Sequence, residues 1–448
     1  MSRLIVSSPS LIGTSGSDQV IGLEDNAYSA IGIEVLKKGV IDTKGGNDTI
    51  SGTGTGFSDG FDGSTGTGIA NSGIINAGRG NDTISGTGTG GVEYRSVEPG
   101  TGISNTHGGR INGGDGNDLI KGTGTGGDGL GVGITKGINN TQYSHIDGGY
   151  GNDSIEGTGN AIGISNTQHS RIDGGYGNDL IEGNSKDKDV FDGEDGTGIF
   201  NSDGSVISGG FGNDSITGIG KGGDGDIQLF RENIPAGNGI GISNSKGSVI
   251  STGQGNDFLS GTGTGGAGSE IPSYPEAGVV PPGVGIGIVN SSIISLGDGN
   301  DTIIGTGISQ GIGFLNTNGI ICGGAGDDTL TGYGTSIGIQ GGTIDGGSGN
   351  DYFKARRIDA NGNPVSNQGG DIANVLIKGG CGNDTFDVGY GNATIDGGSG
   401  WDKLILPDSK TNYTIIGSSD NYTIKRDGFV LNVLNVEQIA FRGVVPHA

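Results

Sequence analysis

The chain has little of what an ordinary globular protein uses to fill its core. Of its 448 residues only 30% are hydrophobic and 5% aromatic, and there are one Met, one Trp and two Cys. No apolar run reaches the roughly 18 residues that read as a membrane-spanning helix. Cys322 and Cys381 occupy different places in the repeat described below, so we expect no disulfide. The composition leaves either a disordered chain or a small repeated unit whose copies share a thin core.

Positive charge is also scarce, with 24 Lys and Arg against 49 Asp and Glu and a formal net charge of −25. Nucleic acids and anionic membrane surfaces need basic patches, so this balance disfavours both and favours cations. The first residues, MSRLIVSSPSLIGTSGSD, carry one Arg and no continuous apolar stretch. They do not resemble a secretory signal peptide, and we expect any export to use another route.

Glycine is abundant, with 105 copies, many of them in a turn motif that ends in Asn-Asp and is followed by an apolar residue. A degraded copy, GTSGSDQVI, opens the series at 13–21. Random Gly-rich sequence would not hold Asp and the apolar position in register twelve more times, so the repeat excludes a disordered linker. The twelve copies are GGNDTI (45–50), GRGNDTI (78–84), GGDGNDLI (113–120), GGYGNDSI (148–155), GGYGNDLI (174–181), GGFGNDSI (209–216), GQGNDFL (253–259), GDGNDTI (297–303), GGAGDDTL (323–330), GGSGNDYF (346–353), GGCGNDTF (379–386) and GGSGWDKL (397–404).

A second element, Gly-Ile followed two residues later by Asn, recurs between the turns. From this Ile forward to the turn Asp the distance is nearly constant. From the Asp to the next such Ile it ranges from 11 residues (Asp153 to Ile164) to 31 (Asp257 to Ile288). One corner of the repeat therefore accepts insertions, as loops on one side of a solenoid do. The Asn row predicts stacked amides that bond along the coil: Asn71, Asn105, Asn166, Asn201, Asn244, Asn290 and Asn316.

The shortest complete unit, Asp153 to Asp179, is 26 residues long and holds three short apolar segments. Three short strands with Gly-rich corners fit one rung of a parallel coil, whereas pervasive Gly and the absence of a 3.6-residue period exclude helix. We predict an all-β, right-handed parallel β-solenoid (β-roll or β-helix) of roughly 11–12 rungs with a C-terminal β cap. Its parts would be an N-terminal cap and degenerate repeat (1–30), the solenoid (31–405) and the cap (406–448). Within the solenoid, long-period repeats (31–378) precede tandem nonapeptides (379–405).

The turn chemistry points to calcium. Glycines with positive φ let the backbone aim carbonyl oxygens inward, and the Asp adds a carboxylate. Calcium accepts six to eight such oxygens in tolerant geometry, whereas zinc prefers His or Cys. A single Asp could simply cap its turn, but a row of carboxylates one strand apart repels unless cations neutralise it. The mid-chain histidines His107, His145 and His169 share no offset from their turns and form no site.

The motif resembles the nonapeptide G-G-x-G-x-D-x-U-x, with U apolar, of the RTX (repeats-in-toxin, hemolysin-type) calcium-binding proteins. The resemblance implies several Ca²⁺ ions, here along one edge of the coil, because most rungs carry the motif once. Lys44 replaces a Gly in the first clear copy and predicts a poor site there. The predicted aspartate ligands are Asp48, Asp82, Asp118, Asp153, Asp179, Asp214, Asp257, Asp301, Asp328, Asp351, Asp384 and Asp402. The predicted glycines are Gly113, Gly116, Gly148, Gly151, Gly174, Gly177, Gly209, Gly212, Gly346, Gly349, Gly379, Gly382, Gly397 and Gly400.

The strand-rich tail, with VLNVEQIAF at 433–441, resembles the region that directs RTX proteins to type I secretion. The resemblance implies a secreted or cell-surface protein that stays unfolded in a low-calcium cytosol and folds on calcium outside. We predict a structural or adhesive protein of the surface or matrix, not an enzyme. Its partner would be extracellular polysaccharide or a cell-envelope component, bound through insertion loops at 92–99, 226–235 and 269–282.

Two alternatives remain. Parallel coils host polysaccharide lyases, epimerases and hydrolases, but the repeats leave no room for a separate catalytic domain and no H-E-x-x-H motif occurs. Ice binding is the second, because a Thr row follows the turns and could form a flat ladder. That row comprises Thr53, Thr87, Thr123, Thr158, Thr262 and Thr306, with Asn184, Ile219 and Tyr333 interrupting it.

Overall fold

A computed structural model describes residues 3–58, 63–91, 99–126, 134–186, 193–227, 233–270, 278–365 and 370–442. The chain winds as a coil in which most rungs contribute one strand to each of three faces, and each strand pairs in parallel with its copy one rung away. The predicted all-β parallel solenoid with three strands per rung is confirmed. The right hand of the coil stays a prediction. Apart from one 3-10 turn, Lys410–Asn412, the described elements are all strands.

The Asn face contains the Gly-Ile-x-Asn element. It begins near the N-terminus and continues into the first residues of the long strands Ile372–Cys381 and Gly391–Ser399. Its other strands are Leu4–Val6, Ala30–Val35, Gly66–Asn71, Gly100–Asn105, Lys136–Asn140, Ile162–Asn166, Gly196–Asn201, Gly239–Asn244, Gly285–Asn290, Ile312–Asn316 and Ile337–Gln340.

The pre-turn face leads into each Gly-rich turn and belongs to the same 27-stranded sheet as the Asn face. Its strands are Leu11–Ile12, Val40–Asp42, Ile74–Arg79, Arg110–Asp115, His145–Tyr150, Arg171–Tyr176, Val206–Phe211, Val249–Gln254, Ile293–Asp298, Ile320–Ala325, Thr343–Ser348, the second halves of Ile372–Cys381 and Gly391–Ser399, and Phe429–Leu434.

The post-turn face follows each turn and forms a separate 14-stranded sheet. This ladder exceeds the predicted 11–12 rungs, because the degraded first repeat adds the strand Gln19–Ala27 and the C-terminal segment adds Gln438–Phe441. Between these two lie Thr49–Gly56, Thr83–Thr89, Leu119–Thr125, Ser154–Gly159, Leu180–Ser185, Ser215–Lys221, Phe258–Thr264, Thr302–Ile308, Thr329–Gly334, Tyr352–Arg357, Thr385–Asp387 and Lys403–Leu406.

The core is a stack of aliphatic side chains, one from each face in a rung. In one rung these are Ile69, Ile75 and Ile84, each at most 1% exposed, and the same positions repeat along the coil. Strand alternation turns these residues inward, and each buried Ile contributes roughly 1.5–3 kcal/mol. Because each face contributes only one buried aliphatic side chain per rung, the small number of hydrophobic residues in the sequence is enough to fill the core.

The Asn row forms the expected ladder of stacked amides inside the coil. The Nδ2 of Asn71 donates to Oδ1 of Asn105 at 2.8 Å, and the pattern continues rung by rung to Asn316. Asn140 is also a member, bonding Asn166 at 2.9 Å. Each amide also donates to a backbone carbonyl, so these buried groups find partners where the chain bends. The row has a structural role.

Length variation falls at the corner between the post-turn face and the next Asn face, as the spacing predicts. Only residues 160–161 separate Ser154–Gly159 from Ile162–Asn166, whereas 265–284 separate Phe258–Thr264 from Gly285–Asn290. The latter insertion holds a small antiparallel pair, Ser269–Glu270 with Val279–Val280. Residues 92–98, 228–232 and 271–277 of the predicted recognition loops lie outside the described residues.

The C-terminal segment closes the end of the coil. Strands Thr414–Ser418 and Asn421–Arg426 pair antiparallel with each other, and Asn421–Arg426 pairs antiparallel with Phe429–Leu434. Phe429–Leu434 and Gln438–Phe441 then stack in parallel on the last rung. Covering the last Ile and Leu columns in this way protects both the apolar core and the open strand edge from solvent.

Candidate metal centre

The Gly-rich turns stack so closely that particular positions accept no side chain. In 113–118, Gly114 and Gly116 have φ of +121° and +136°, and a Cβ on Gly116 would collide with the Gly80 carbonyl of the neighbouring rung. The first glycine, Gly113, does not have positive φ. Positive φ therefore explains the glycines at the second and fourth positions of the turn but not the one at the first, which is small for a different reason, given below.

One oxygen of each turn carboxylate belongs to a hydrogen-bond ladder. The backbone N–H of Asp118 donates to Oδ1 of Asp153 at 2.7 Å, and that of Asp153 donates to Oδ1 of Asp179 at 2.8 Å. The same bond links every consecutive pair from Asp48 to Asp402. Side-chain to backbone hydrogen bonding, the alternative to metal binding, thus explains the position of Oδ1 but not that of Oδ2. The N–H that Oδ1 accepts from lies one rung away and not in its own turn.

The second oxygen, Oδ2, is buried in all twelve predicted ligands and accepts no hydrogen bond of normal geometry. At Asp257 burial raises the pKa and the nearby Thr252 hydroxyl partly offsets this, although that hydroxyl donates to the Leu296 carbonyl. An orphaned buried carboxylate oxygen is costly, because burial removes its water and nothing replaces it. The twelve orphaned atoms belong to Asp48, Asp82, Asp118, Asp153, Asp179, Asp214, Asp257, Asp301, Asp328, Asp351, Asp384 and Asp402.

A backbone carbonyl from the next rung converges with Oδ2 beside the first glycine of the turn. A Cβ added to Gly113 would lie 2.6 Å from Asp118 Oδ2 and would also collide with the Gly148 carbonyl. The missing side chain therefore leaves a cradle between two oxygens. The same cradle lies beside Gly148, Gly174, Gly209, Gly323, Gly346, Gly379 and Gly397.

Four turns have a side chain at the cradle position instead. Thr43, Ala77, Thr252 and Leu296 are all buried there, in the turns of Asp48, Asp82, Asp257 and Asp301. The hydroxyl of Thr43 donates to the Ala77 carbonyl at 2.6 Å, and that of Thr252 to the Leu296 carbonyl at 2.5 Å. The twelve turns are therefore not equivalent.

The degraded first copy provides an internal contrast. In that turn the backbone N–H of Thr14 donates to Oδ2 of Asp18 at 2.6 Å. Here the carboxylate caps its own turn and leaves no orphaned oxygen. Asp18 is not among the predicted ligands. Gly13 also lies between Asp18 Oδ2 and the Thr43 carbonyl, but here the carboxylate oxygen already accepts the hydrogen bond from Thr14.

Burial and neighbouring carboxylates make the charged form of the turn aspartates unfavourable in the absence of a cation. Burial, followed by the charges of Asp118 and Asp179, raises the pKa of Asp153 to about 7. Burial likewise raises the pKa of Asp214 to about 7 and that of Asp179 to about 6. A cation beside Oδ2 would reverse this effect, since an opposite charge favours the ionised carboxylate.

These donors fit calcium better than other metals. Within the described ranges no three acidic, His or Cys side chains converge on one point, so a site must take further ligands from the backbone. Carboxylate and carbonyl oxygens from stacked turns are ligands that Ca²⁺ accepts in irregular geometry, whereas Zn²⁺ would need His or Cys.

Sequence reasoning missed two residues at the end of the row. The Asp402 N–H donates to Oε2 of Glu437 at 2.6 Å, so Glu437 takes the place of the next aspartate. The carbonyl of Asn435 lies beside the Gly397 cradle, where earlier rungs offer a turn carbonyl. The local sequence VLNVEQ carries no turn motif that could have indicated this, because the residues arrive through the fold of the C-terminal segment.

The Thr row lies in register on the post-turn face. Thr53, Thr87, Thr123 and Thr158 are aligned rung to rung, and Asn184 and Ile219 continue the row as the spacing predicts. Lys121 and Glu156, which form a salt bridge at 2.6 Å, stand in the adjacent outward row. The face is therefore a mixed polar surface.

Comparisons with known proteins add little. No family model matches the chain, and no curated protein sequence matches it. A solved structure that resembles it is a hyperactive, Ca²⁺-dependent, β-helical antifreeze protein from an Antarctic bacterium. The identity is 15%, the likeness covers 92% of this chain and 86% of that one, and the TM-score is 0.41. A likeness this distant carries no weight for the site. In the described part of the chain, no helix has the length and hydrophobicity for a membrane span.

Proposed function

We propose that this chain is a calcium-binding repeat protein of RTX type, whose rod folds when calcium binds the Asn-Asp turns. The single observation that carries the proposal is the row of buried, unpartnered Oδ2 atoms. Eight of them lie beside a glycine cradle that also exposes a carbonyl oxygen. Calcium at these positions would satisfy the orphaned oxygens and cancel the repulsion along the row.

Circular dichroism and isothermal titration calorimetry test this proposal. We expect EDTA to abolish the β-sheet signal and calcium to restore it at roughly 10⁻⁴–10⁻³ M, the range of extracellular calcium modules. The stoichiometry should lie nearer to the eight Gly-bearing turns than to twelve. Magnesium, which demands a tighter octahedral shell, should not substitute at equal concentration. β-Structure that survives chelation unchanged would contradict the proposal.

We propose further that the protein acts outside the cell as a structural or adhesive component of the surface or matrix. The C-terminal likeness to type I secreted proteins supports this route, since a chain kept unfolded by low calcium could pass an exporter and fold outside. Co-expression with a type I exporter tests the route. Medium should contain the full chain and lack a variant without residues 406–448; equal release of both would exclude a C-terminal signal.

The insertion loops are a proposed recognition surface for polysaccharide or envelope components, and deleting them one at a time from the calcium-loaded protein tests each. A polysaccharide-degrading enzyme is the competing function. It predicts release of reducing ends or unsaturated products from glycan chains, and we expect none.

A further inference from the structure

A row of exposed aromatic rings on the pre-turn face is not explained by calcium binding. Tyr150, Tyr176 and Phe211 occupy the variable position of three consecutive turns, and they are 59%, 49% and 46% exposed. Their rings stack with centroids 4.8 Å apart, within 11° of parallel. Other rungs place Asp115, Gln254 or Ser348 at the same position, so the turn itself does not require an aromatic residue.

These rings form one wall of a shallow groove of about 580 Å³ that runs along the coil. A second hollow of about 450 Å³ continues it toward the N-terminus and shares Asn112 and Asp147 with it. We call both together the axial groove. Its middle row consists of hydrogen-bonding groups aligned rung to rung: Asp42, Asn76, Asn112, Asp147, Asp173 and Ser208.

The axial groove is nearly balanced in charge although the chain carries −25. Its carboxylates are accompanied by Arg110, by Arg171, which pairs with Asp173 at 2.5 Å, and by Arg79, which pairs with Asp115 at 3.2 Å. Such a surface suits neither a polyanion nor a polycation. An apolar protein partner would have to remove water from the charged middle row without offering hydrogen-bonding groups in return, which is unfavourable.

We infer that the axial groove binds a neutral linear polysaccharide lying along the coil axis. Sugar rings combine apolar C–H faces with hydroxyls that donate and accept. The groove offers an apolar aromatic wall beside carboxylates and amides. Both ligand and site repeat along one axis, since the middle row spans six rungs at roughly 4.8 Å each. The inference goes beyond calcium binding and needs calcium only in that the turns must be folded.

The test is retention of the intact chain by insoluble cellulose, chitin and β-1,3-glucan in millimolar calcium, with alginate as an anionic comparison. We expect at least one neutral glycan to retain the protein. Substitution of the three rings by glutamine (Tyr150→Gln, Tyr176→Gln, Phe211→Gln), the residue that Gln254 already provides at this position, should weaken retention at least tenfold. Asp147→Asn with Asp173→Asn should weaken it independently.

Two controls separate failure of binding from failure of folding. Each variant should show the same calcium-induced circular dichroism as the parent chain. A variant with two exposed aromatic residues removed elsewhere, Tyr143→Ala and Phe258→Ala, should bind as the parent does. No retention by any neutral glycan, binding to alginate alone, or undiminished binding of the glutamine variant would overturn the inference while leaving the calcium proposal intact.

Discussion

Replacing one turn aspartate by asparagine should have opposite effects with and without calcium. Asp153 is the best site, because both neighbouring turns carry Gly cradles and its Oδ2 has no partner. Asparagine keeps the Oδ1 acceptor of the ladder and replaces the orphaned oxygen with an uncharged NH₂ group. Asp153→Asn should therefore stabilise the metal-free fold and destabilise the calcium-loaded fold.

The magnitude follows from the pKa of Asp153, raised from 3.8 to about 7. Each pKa unit corresponds to about 1.36 kcal/mol, so forcing the metal-free carboxylate to ionise at pH 8 costs at most about 4 kcal/mol. Relaxation and residual hydration reduce this, and we expect a gain on the order of 1–3 kcal/mol for the variant. With calcium bound the sign reverses, since a charged ligand is lost.

We expect the metal-free protein to be unfolded in buffer, so the stability of its folded form must be measured under conditions that favour folding. Folding of the chelated protein at pH 8 can be driven by an excluded osmolyte, and the variant should need less of it. Urea unfolding in millimolar calcium should then show the variant to be less stable than the parent. Asp257→Asn is the matched control, because Thr252 occupies the cradle of that turn. This variant should lose much less stability in calcium than Asp153→Asn does. For Asp18→Asn, the effect on stability should not change sign between the metal-free and calcium-loaded protein. The same sign for Asp153→Asn in both conditions would refute the metal assignment.

Further predictions concern the cradle, pH, the amide ladder and the Thr row. Gly174→Ala should remove about one calcium equivalent by native mass spectrometry, while Thr252→Gly should not lower the count; unchanged binding in Gly174→Ala would contradict the cradle. Because folded-state pKa values of about 6 to 7 exceed the unfolded value of 3.8, the metal-free fold binds extra protons and should lose stability as pH rises from about 4 to 7. Calcium requires the ionised form, so its midpoint concentration should rise as pH falls below about 7; a pH-independent midpoint would exclude these carboxylates. Asn166→Leu should cost about 2–4 kcal/mol in urea unfolding, because it leaves the amide oxygen of Asn201 unpaired in the core. Thermal hysteresis should be absent, because Lys121, Glu156 and Ile219 interrupt a flat hydroxyl surface; measurable hysteresis would favour the ice-binding alternative.

The repeat made most of the architecture predictable. An apolar residue keeps the same spacing from the turn Asp in every copy, as Ile155 does after Asp153. This constant spacing indicates that both residues recur at equivalent points of a coil. Three apolar segments per 26 residues then indicated three strands, and the insertions between Asp257 and Ile288 indicated the variable corner. Both predictions are confirmed, because strand alternation and rung stacking are local rules. The ladder was underestimated at its ends, where Gln19–Ala27 and Gln438–Phe441 pair without a full motif.

By itself, the sequence determined the repeated turn, the thin aliphatic core and the row of aspartates, since each follows from residue type and spacing. Only the tertiary structure decided how the carboxylate oxygens are used. Oδ1 accepts from the neighbouring rung, and Oδ2 is orphaned beside a carbonyl that comes from the next rung of the coil, as at Asp153 and Gly174. The structure also showed that the cradle beside Gly113 is open whereas the one at Thr252 is filled by a side chain. It showed as well that Tyr150, Tyr176 and Phe211 stack side by side in one wall. These contacts join residues far apart in the chain, and their geometry is set by the stacking of whole rungs.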